Sequence, residues 1–165
     1  MWIYLLRHGI AEDPRPGLDD DQRALTEDGH ARLAAASRAW HKLVPTPQIV
    51  LCSPFVRARE TATAFAKAVG YQGDVRRDPA LVPNAMPELA LTVLEGELLS
   101  RTESVALVGH EPHLGYLLGA LLTGHTRMSI PLKKGMLIGL QTESASNVIA
   151  GLRFSLSQKL ADKLT

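Results

Sequence analysis

The sequence predicts a three-layer α/β/α sandwich around a mainly parallel sheet. Short apolar runs alternate with longer segments in which apolar residues recur at helical spacing. Two of the runs, Gln48–Cys52 and Ser104–Val108, are almost entirely apolar, which is typical of strands buried on both faces. Alternating strands and helices imply right-handed crossovers, which place helices on both faces of the sheet.

The length and composition favour a single domain over residues 1–165, long enough to bury a proper core. The formal net charge of +1 gives no reason to expect nucleic acid or a membrane as a partner. No apolar run approaches the roughly 20 residues that span a bilayer. Cys52 is the only cysteine, so an internal disulfide is impossible and we expect a cytoplasmic location.

The chain begins with a predicted strand, followed by an exposed loop and a helix. Trp2–Gly9 is an apolar run that ends in charged and small residues. Ile10–Ala24 is rich in Asp and Pro, so we expect a loop over the end of the strand. Thr26 is the expected N-cap of a helix that continues to about Val44.

A second helix is expected directly after the strand at Gln48–Cys52. Ser53 would be its N-cap and Pro54 its first residue, and it would end near Gly70. The remaining predicted elements are a brief strand at Asp74–Arg77, a loop at Pro79–Pro87, a helix at Glu88–Leu99, a helix starting near Pro112, and strands at Gly135–Gln141 and Val148–Ser155 joined by a turn at Glu143–Asn147.

Chemically unusual residues follow three of the predicted strands. Arg7-His8-Gly9 ends the first strand, Ser53-Pro54-Phe55-Val56-Arg57 follows the second, and Gly109-His110-Glu111-Pro112 follows the run at Ser104–Val108. The carboxyl ends of parallel strands lie at one edge of a sheet, where ligands of such sheets bind. We therefore expect the three segments to form one crevice.

Two arginines and two histidines would make this crevice a phosphate site. The planar forks of Arg7 and Arg57 match the oxygens of a phosphoryl group, and helix N-termini also favour an anion. Imidazole is a capable nucleophile with a pKa near working pH. One of His8 and His110 could attack phosphorus while the other, protonated, stabilises charge. The residues predict chemistry on a phosphate ester or a phosphoramidate.

Four segments occur here in the order in which one known family carries them. They are Arg7-His8-Gly9, Leu25–Gly29 with a leucine-threonine-x-x-glycine pattern, Ser53–Ala62 with a Ser-Pro-x-x-Arg pattern, and Val108-Gly109-His110. The chain thus resembles the histidine phosphatase superfamily, which has the phosphoglycerate-mutase-like fold. Its short length, with no room for insertions over the site, is similar to the SixA-type phosphohistidine phosphatases.

The resemblance implies a role for each residue of the predicted crevice. His8 would be the nucleophile that becomes phosphorylated, and His110 would stabilise the transition state. Arg7 and Arg57 would bind the phosphoryl oxygens. Gly9 would allow the close turn and leave room for phosphate beside the imidazole. The resemblance implies no metal and no cofactor.

The resemblance leaves open which group protonates the leaving atom. Glu111 follows the second histidine, where the acid-phosphatase branch has an aspartate, but it could equally cap the next helix. Glu88, Glu12 and Asp13 are weaker alternatives. A phosphohistidine substrate could dispense with a donor, because its leaving imidazole can already be protonated.

Three further residues are expected to have no catalytic role. Arg59 should form a structural salt bridge, to Glu60 or to another acid. His113 follows the second histidine by three positions, whereas the metal-binding pattern His-Glu-x-x-His needs four. Cys52 lies inside an apolar run and too close in sequence to the next arginine to match cysteine-dependent phosphatases.

The sequence therefore predicts a metal-independent phosphatase that forms a phosphohistidine on His8. The expected substrate is a phosphohistidine in a protein, such as a phosphorelay domain or a phosphotransfer protein. A small-molecule phosphomonoesterase of the same superfamily and a non-catalytic phosphate-recognition module are the alternatives. Lys133 and Lys134 would solvate a loop or contact an acidic partner.

Overall fold

The computed structural model describes residues 1–142, 144 and 148–164. Strands and helices alternate along most of this chain, with short 3-10 turns at Asp20–Gln22 and Pro79–Leu81. The elements are β1 (Trp2–Arg7), α1 (Glu27–Leu43), β2 (Ile49–Cys52), α2 (Val56–Ala68), β3 (Arg76–Arg77), α3 (Pro87–Leu99), β4 (Ser104–Gly109), α4 (His113–Thr123), β5 (Leu137–Gln141), β6 (Gly151–Leu156) and α5 (Gln158–Ala161).

The strands form one sheet in the order β3-β2-β4-β1-β5-β6. β4 pairs in parallel with β1 and with β2, and β2 pairs in parallel with β3. β5 runs antiparallel to both of its neighbours, β1 and β6. The prediction of a mainly parallel sheet is therefore confirmed, with β5 as the reversed strand.

Side chains of β1 alternate between two apolar clusters, one on each face of the sheet. Tyr4 and Leu6 lie in a cluster with buried residues of α1, α2 and α5. Ile3 and Leu5 lie in a second cluster with buried residues of α3 and α4. This period of two confirms the three-layer sandwich. Because helices cover both faces of the central strands, β1 and β4 are accessible chiefly at their ends, whereas the edge strands β3 and β6 are largely exposed.

The helix starts follow the predicted capping pattern in α1 but not in α2. Thr26 caps α1 as predicted, since its hydroxyl accepts a hydrogen bond from the Gly29 amide at 3.0 Å. The prediction that Ser53 caps a helix beginning at Pro54 is wrong, because α2 begins at Val56. The Ser53 amide donates to the Val108 carbonyl at 2.9 Å, which keeps Ser53 in the sheet.

The C-terminal strands are shorter than predicted, and α5 was not predicted. β5 begins two residues late because Gly135 turns with a φ of +68°. The Gly135 amide donates to the carbonyls of Arg7 and His8, so this turn rests on the end of β1. The predicted turn at Glu143–Asn147 lies, apart from position 144, outside the described residues. No described helix could span a membrane.

Candidate active site

The sheet register places the ends of β1, β2 and β4 side by side. Arg7 pairs with Gly109 across β1 and β4, and the His8 amide continues the ladder by donating to the Gly109 carbonyl at 3.0 Å. His8 and His110 both follow this pair. As a result, their ring centroids lie 4.9 Å apart with the ring planes inclined at 55°. The structure thus brings the two predicted histidines together.

The His8 ring is held in one orientation by the backbone of the next residue. Its Nδ1 lies 2.7 Å from the Gly9 carbonyl oxygen, which can only accept, so we assign the proton to Nδ1. Nε2 then carries the lone pair. Burial lowers the pKa of His8 to about 3, and the cations Arg57 and Arg7 act in the same direction, against the bond to Gly9. The ring is therefore neutral at neutral pH.

Thr61 of α2 anchors this arrangement from below. Its hydroxyl accepts a hydrogen bond from the Gly9 amide at 3.1 Å and donates to the Arg57 carbonyl at 2.7 Å. The side chain of Thr61 is fully buried. One hydroxyl therefore links the backbone that orients His8 to the backbone that carries Arg57. Thr61 lies within Ser53–Ala62, but no sequence pattern distinguishes its hydroxyl from that of the other threonine in α2.

Core packing gives a further reason for a glycine at position 9. A Cβ atom at Gly9 would lie 3.1 Å from Leu33 and 3.2 Å from Leu25, inside the apolar core. The absent side chain thus makes room for these two core leucines. The amide and carbonyl of Gly9 serve Thr61 and His8, respectively.

His110 is buried with both ring nitrogens unsatisfied. It is 1% exposed, and neither nitrogen has a hydrogen-bond partner among the described residues. The ring of Phe55 packs against it edge-on, with centroids 5.1 Å apart. Burial, with the neighbouring His8 and Arg57 acting in the same direction, lowers the pKa of His110 to about 2. His110 is therefore neutral at neutral pH in this environment.

A third histidine, His113, is buried at the start of α4. It is 1% exposed, neither ring nitrogen is paired within the described chain, and burial lowers its pKa to about 4. We refer to His8, His110 and His113 as the three buried histidines. The described residues contain no group of three or more potential metal ligands.

Arg57 is held by an acidic loop residue. Its Nη1 donates to the Asp20 carbonyl and its Nη2 to the Asp20 carboxylate, the latter at 2.9 Å. Arg23 contacts the same carboxylate at 2.7 Å. Burial acts to raise the pKa of Asp20, but its hydrogen bonds to Arg57 and Arg23 bring it below its ordinary value. The buried Nε of Arg57 has no partner among the described residues and can serve a ligand.

Arg7 and Glu111 together hold one residue of the loop before β5. Arg7 Nη1 donates to the Leu132 carbonyl at 2.6 Å, and the Leu132 amide donates to the Glu111 carboxylate at 3.0 Å. Burial raises the pKa of Glu111, while its bonds to the amides of Leu132 and Gly115 and the charge of Arg7 oppose this. The contact with Gly115, in the first turn of α4, supports the helix-cap interpretation of Glu111.

The other candidate proton donors, Glu12, Asp13 and Glu88, are engaged elsewhere or exposed. The Glu12 carboxylate accepts a hydrogen bond from the Ala24 amide at 3.0 Å and pairs with Arg15, and Asp13 is exposed. Glu88 is exposed and lines a separate groove with the segment Thr123–Met128.

Of the expectations for Arg59 and Cys52, the first is wrong and the second is confirmed. The predicted salt bridge of Arg59 is wrong, since no acid of the described chain lies within 4.0 Å of its guanidinium. Cys52 is 1% exposed, and burial raises the pKa of its thiol to about 11, against the charges of Arg77 and Arg59. Cys52 is therefore a protonated core residue, as the sequence predicted.

Two sequence relatives and one solved structure are similar to this chain over most of its length. An uncharacterized protein of Picosynechococcus sp. is 34% identical over 146 residues, covering 88% of this chain and 87% of that protein. The phosphohistidine phosphatase SixA of Escherichia coli K12 is 29% identical over 128 residues, covering 76% and 77%. A structure of the protein histidine phosphatase SixA complexed with tungstate has a TM-score of 0.81 at 24% identity, covering 96% and 98%.

A match to a family sequence model identifies the superfamily of this chain. A model of the histidine phosphatase superfamily (branch 1) matches residues 3–97. That span includes β1 with the following His8 and α2 with Arg57. Together with the confirmed fold, this match shows that the chain belongs to the histidine phosphatase superfamily.

Proposed function

We propose that this chain is a phosphatase that hydrolyses phosphohistidine in proteins through a phosphohistidine formed on its own His8. The observation that carries the proposal is the bond from His8 Nδ1 to the Gly9 carbonyl. This bond fixes the tautomer, so that Nε2 presents a lone pair next to the unsatisfied ring of His110. A neutral, oriented imidazole is what nucleophilic attack on phosphorus requires.

The first step transfers the phosphoryl group to the enzyme. Nε2 of His8 forms a bond to phosphorus while the P–N bond of the substrate breaks, and the leaving imidazole takes that electron pair. Arg7 and Arg57 each keep a buried Nε without a partner in the described chain, available to the phosphoryl oxygens. His110 can donate to the same oxygens once the incoming negative charge offsets its burial.

The second step regenerates the enzyme. A water molecule attacks the phosphorus of the phosphorylated His8, and its oxygen and both of its protons leave on the released inorganic phosphate. The electron pair of the broken P–N bond returns to Nε2 of His8. The hydrogen bond between His8 Nδ1 and the Gly9 carbonyl can stay in place during both steps.

Two features favour a protein phosphohistidine over a small phosphoester. The carboxylate of Glu111 is engaged by the Leu132 amide, so it is not free to serve a poor leaving group. An imidazole leaving group depends less on a proton donor than the alkoxide leaving group of a small phosphoester does. The 29% identical relative from Escherichia coli is named a phosphohistidine phosphatase, which points to the same substrate class.

A turnover panel tests the proposal. Wild type should release phosphate from a phosphohistidine peptide faster than from small alkyl phosphates, and EDTA should leave both rates unchanged. His8→Ala should abolish turnover, whereas His125→Ala, at an exposed histidine outside the site, should not. Hydrolysis of small phosphoesters alone would indicate a phosphomonoesterase. Vanadate binding without any turnover would indicate a phosphate-recognition module.

A further inference from the structure

A shallow groove of about 490 Å³ lies on the far side of α2 from Arg57. It is lined by the end of β2, the outer surface of α2, the edge strand β3 and His30 of α1. Arg59 lies two residues beyond Arg57, about 200° around the helix, so the two guanidinium groups leave α2 on different sides. The groove is therefore next to the candidate active site without being part of it.

Unpaired cations dominate this groove. Arg59, Thr63 and Lys67 follow one another at intervals of four, so they form a stripe along one face of α2. Arg77 contributes a third cation from β3. None of the three cationic side chains has an ion pair or a hydrogen bond with a described residue.

The one acid that lines the groove is already occupied. The Glu60 carboxylate accepts a hydrogen bond from the Leu25 amide at 2.7 Å, which ties it to the segment before α1. It therefore offsets the three cations only in part. The chain as a whole has a formal net charge of only +1, so this concentration of positive charge is local.

We propose that this groove binds an acidic segment of the protein that carries the phosphohistidine, a proposal that rests on the proposed function. A segment that passes around the helix surface from one side to the other covers about half of its circumference, roughly 16 Å, which about five extended residues span. A carboxylate about five positions from the phosphohistidine would thus reach Arg59 while the phosphoryl group lies at His8. An acidic protein segment fits three cations better than nucleic acid does, because a protein that binds nucleic acid contacts on the order of six to ten phosphates.

Matched phosphohistidine peptides test the groove. Three peptides of one length, with acidic, neutral or basic residues about five positions from the phosphohistidine, are compared at low salt. Wild type should prefer the acidic peptide. Arg59→Ala with Arg77→Ala should lower kcat/KM for that peptide between about two-fold and thirty-fold, mainly through KM, since each exposed ion pair contributes little. The preference should disappear near 1 M salt.

The controls separate the groove from the catalytic site. The double variant should hydrolyse p-nitrophenyl phosphate and the neutral peptide at wild-type rates. Arg38→Ala, which removes an exposed cation from α1, should leave the acidic preference intact. Equal wild-type turnover of all three peptides, or stronger inhibition by a short oligonucleotide than by an acidic peptide, would overturn the groove proposal. Absence of turnover with every peptide would instead contradict the proposed function itself.

Discussion

The hydroxyl of Thr61 should be needed for both stability and turnover. Thr61→Val keeps the shape of the side chain and removes its hydroxyl. The Gly9 amide then loses its acceptor at 3.1 Å, and it lies in a buried stretch that water cannot easily reach. The Arg57 carbonyl loses a donor at 2.7 Å but keeps its bond within α2.

The size of the effect follows from these contacts. Leaving a buried amide unsatisfied costs about 1 to 3 kcal/mol, and the extra buried methyl group returns somewhat less than 1 kcal/mol. The free energy of unfolding should therefore fall by about 0.5 to 2 kcal/mol, which lowers Tm by roughly 1 to 8 °C in a chain of this size. Because the Gly9 carbonyl orients His8, kcat should also fall, by about ten-fold.

Urea unfolding and phosphate release measure the two effects separately. Turnover is measured well below the Tm of the variant, so that loss of folded protein does not contribute. Thr63→Val is the matched control, since the Thr63 hydroxyl makes the same bond to a carbonyl four residues earlier, at 3.0 Å, but accepts nothing from the site. It should change stability by less than about 0.5 kcal/mol.

Three results would refute this reasoning. Unchanged stability in Thr61→Val would mean that the Gly9 amide does not depend on the hydroxyl. Reduced stability with an unchanged kcat would mean that Thr61 supports the fold but does not position His8. A similar loss in Thr63→Val would assign the effect to α2 in general.

Three further predictions follow from the electrostatics of the site. Burial lowers the pKa values of the three buried histidines below the ordinary value, so the unfolded chain binds more protons than the folded chain below pH 6.5. Urea unfolding should therefore show that the free energy of unfolding falls from about pH 6.5 to pH 4, by about 1 kcal/mol per histidine and pH unit. A flat pH profile would contradict this prediction. Asp20→Asn removes a negative charge beside Arg57 and should tighten vanadate binding about two- to five-fold at low salt, whereas a ten-fold weakening would show that the charge is needed to position Arg57. Glu111→Gln should reduce turnover of a phosphohistidine peptide less than about three-fold, and a hundred-fold loss would make Glu111 the proton donor.

The arrangement of the strand ends could be predicted from the sequence. Apolar runs identified β1, β2 and β4, and a parallel sheet puts their carboxyl ends at one edge. His8 and His110 therefore meet for a topological reason, and no long-range contact had to be guessed. The same logic predicted that Arg57 approaches them from the start of α2.

The contacts that hold the site together could not be predicted in this way. Asp19, Asp20 and Asp21 are equivalent in the sequence, and only the geometry of the loop selects Asp20 as the partner of Arg57. Ser53 and Pro54 match a helix start, but the Ser53 amide donates to the Val108 carbonyl of β4, and α2 begins only at Val56. Pairing in the sheet therefore overrides the local preference of Ser53 for a helix N-cap.

The account depends most directly on a phosphorylated His8. Wild type mixed with a phosphohistidine peptide should be quenched in base within one turnover and digested, because phosphohistidine survives base and is lost in acid. Mass spectrometry should find one acid-labile phosphate on the peptide that contains His8 and none on the peptide that contains His110. A phosphate found on Cys52 or on His110, or turnover that persists in His8→Ala, would contradict the account.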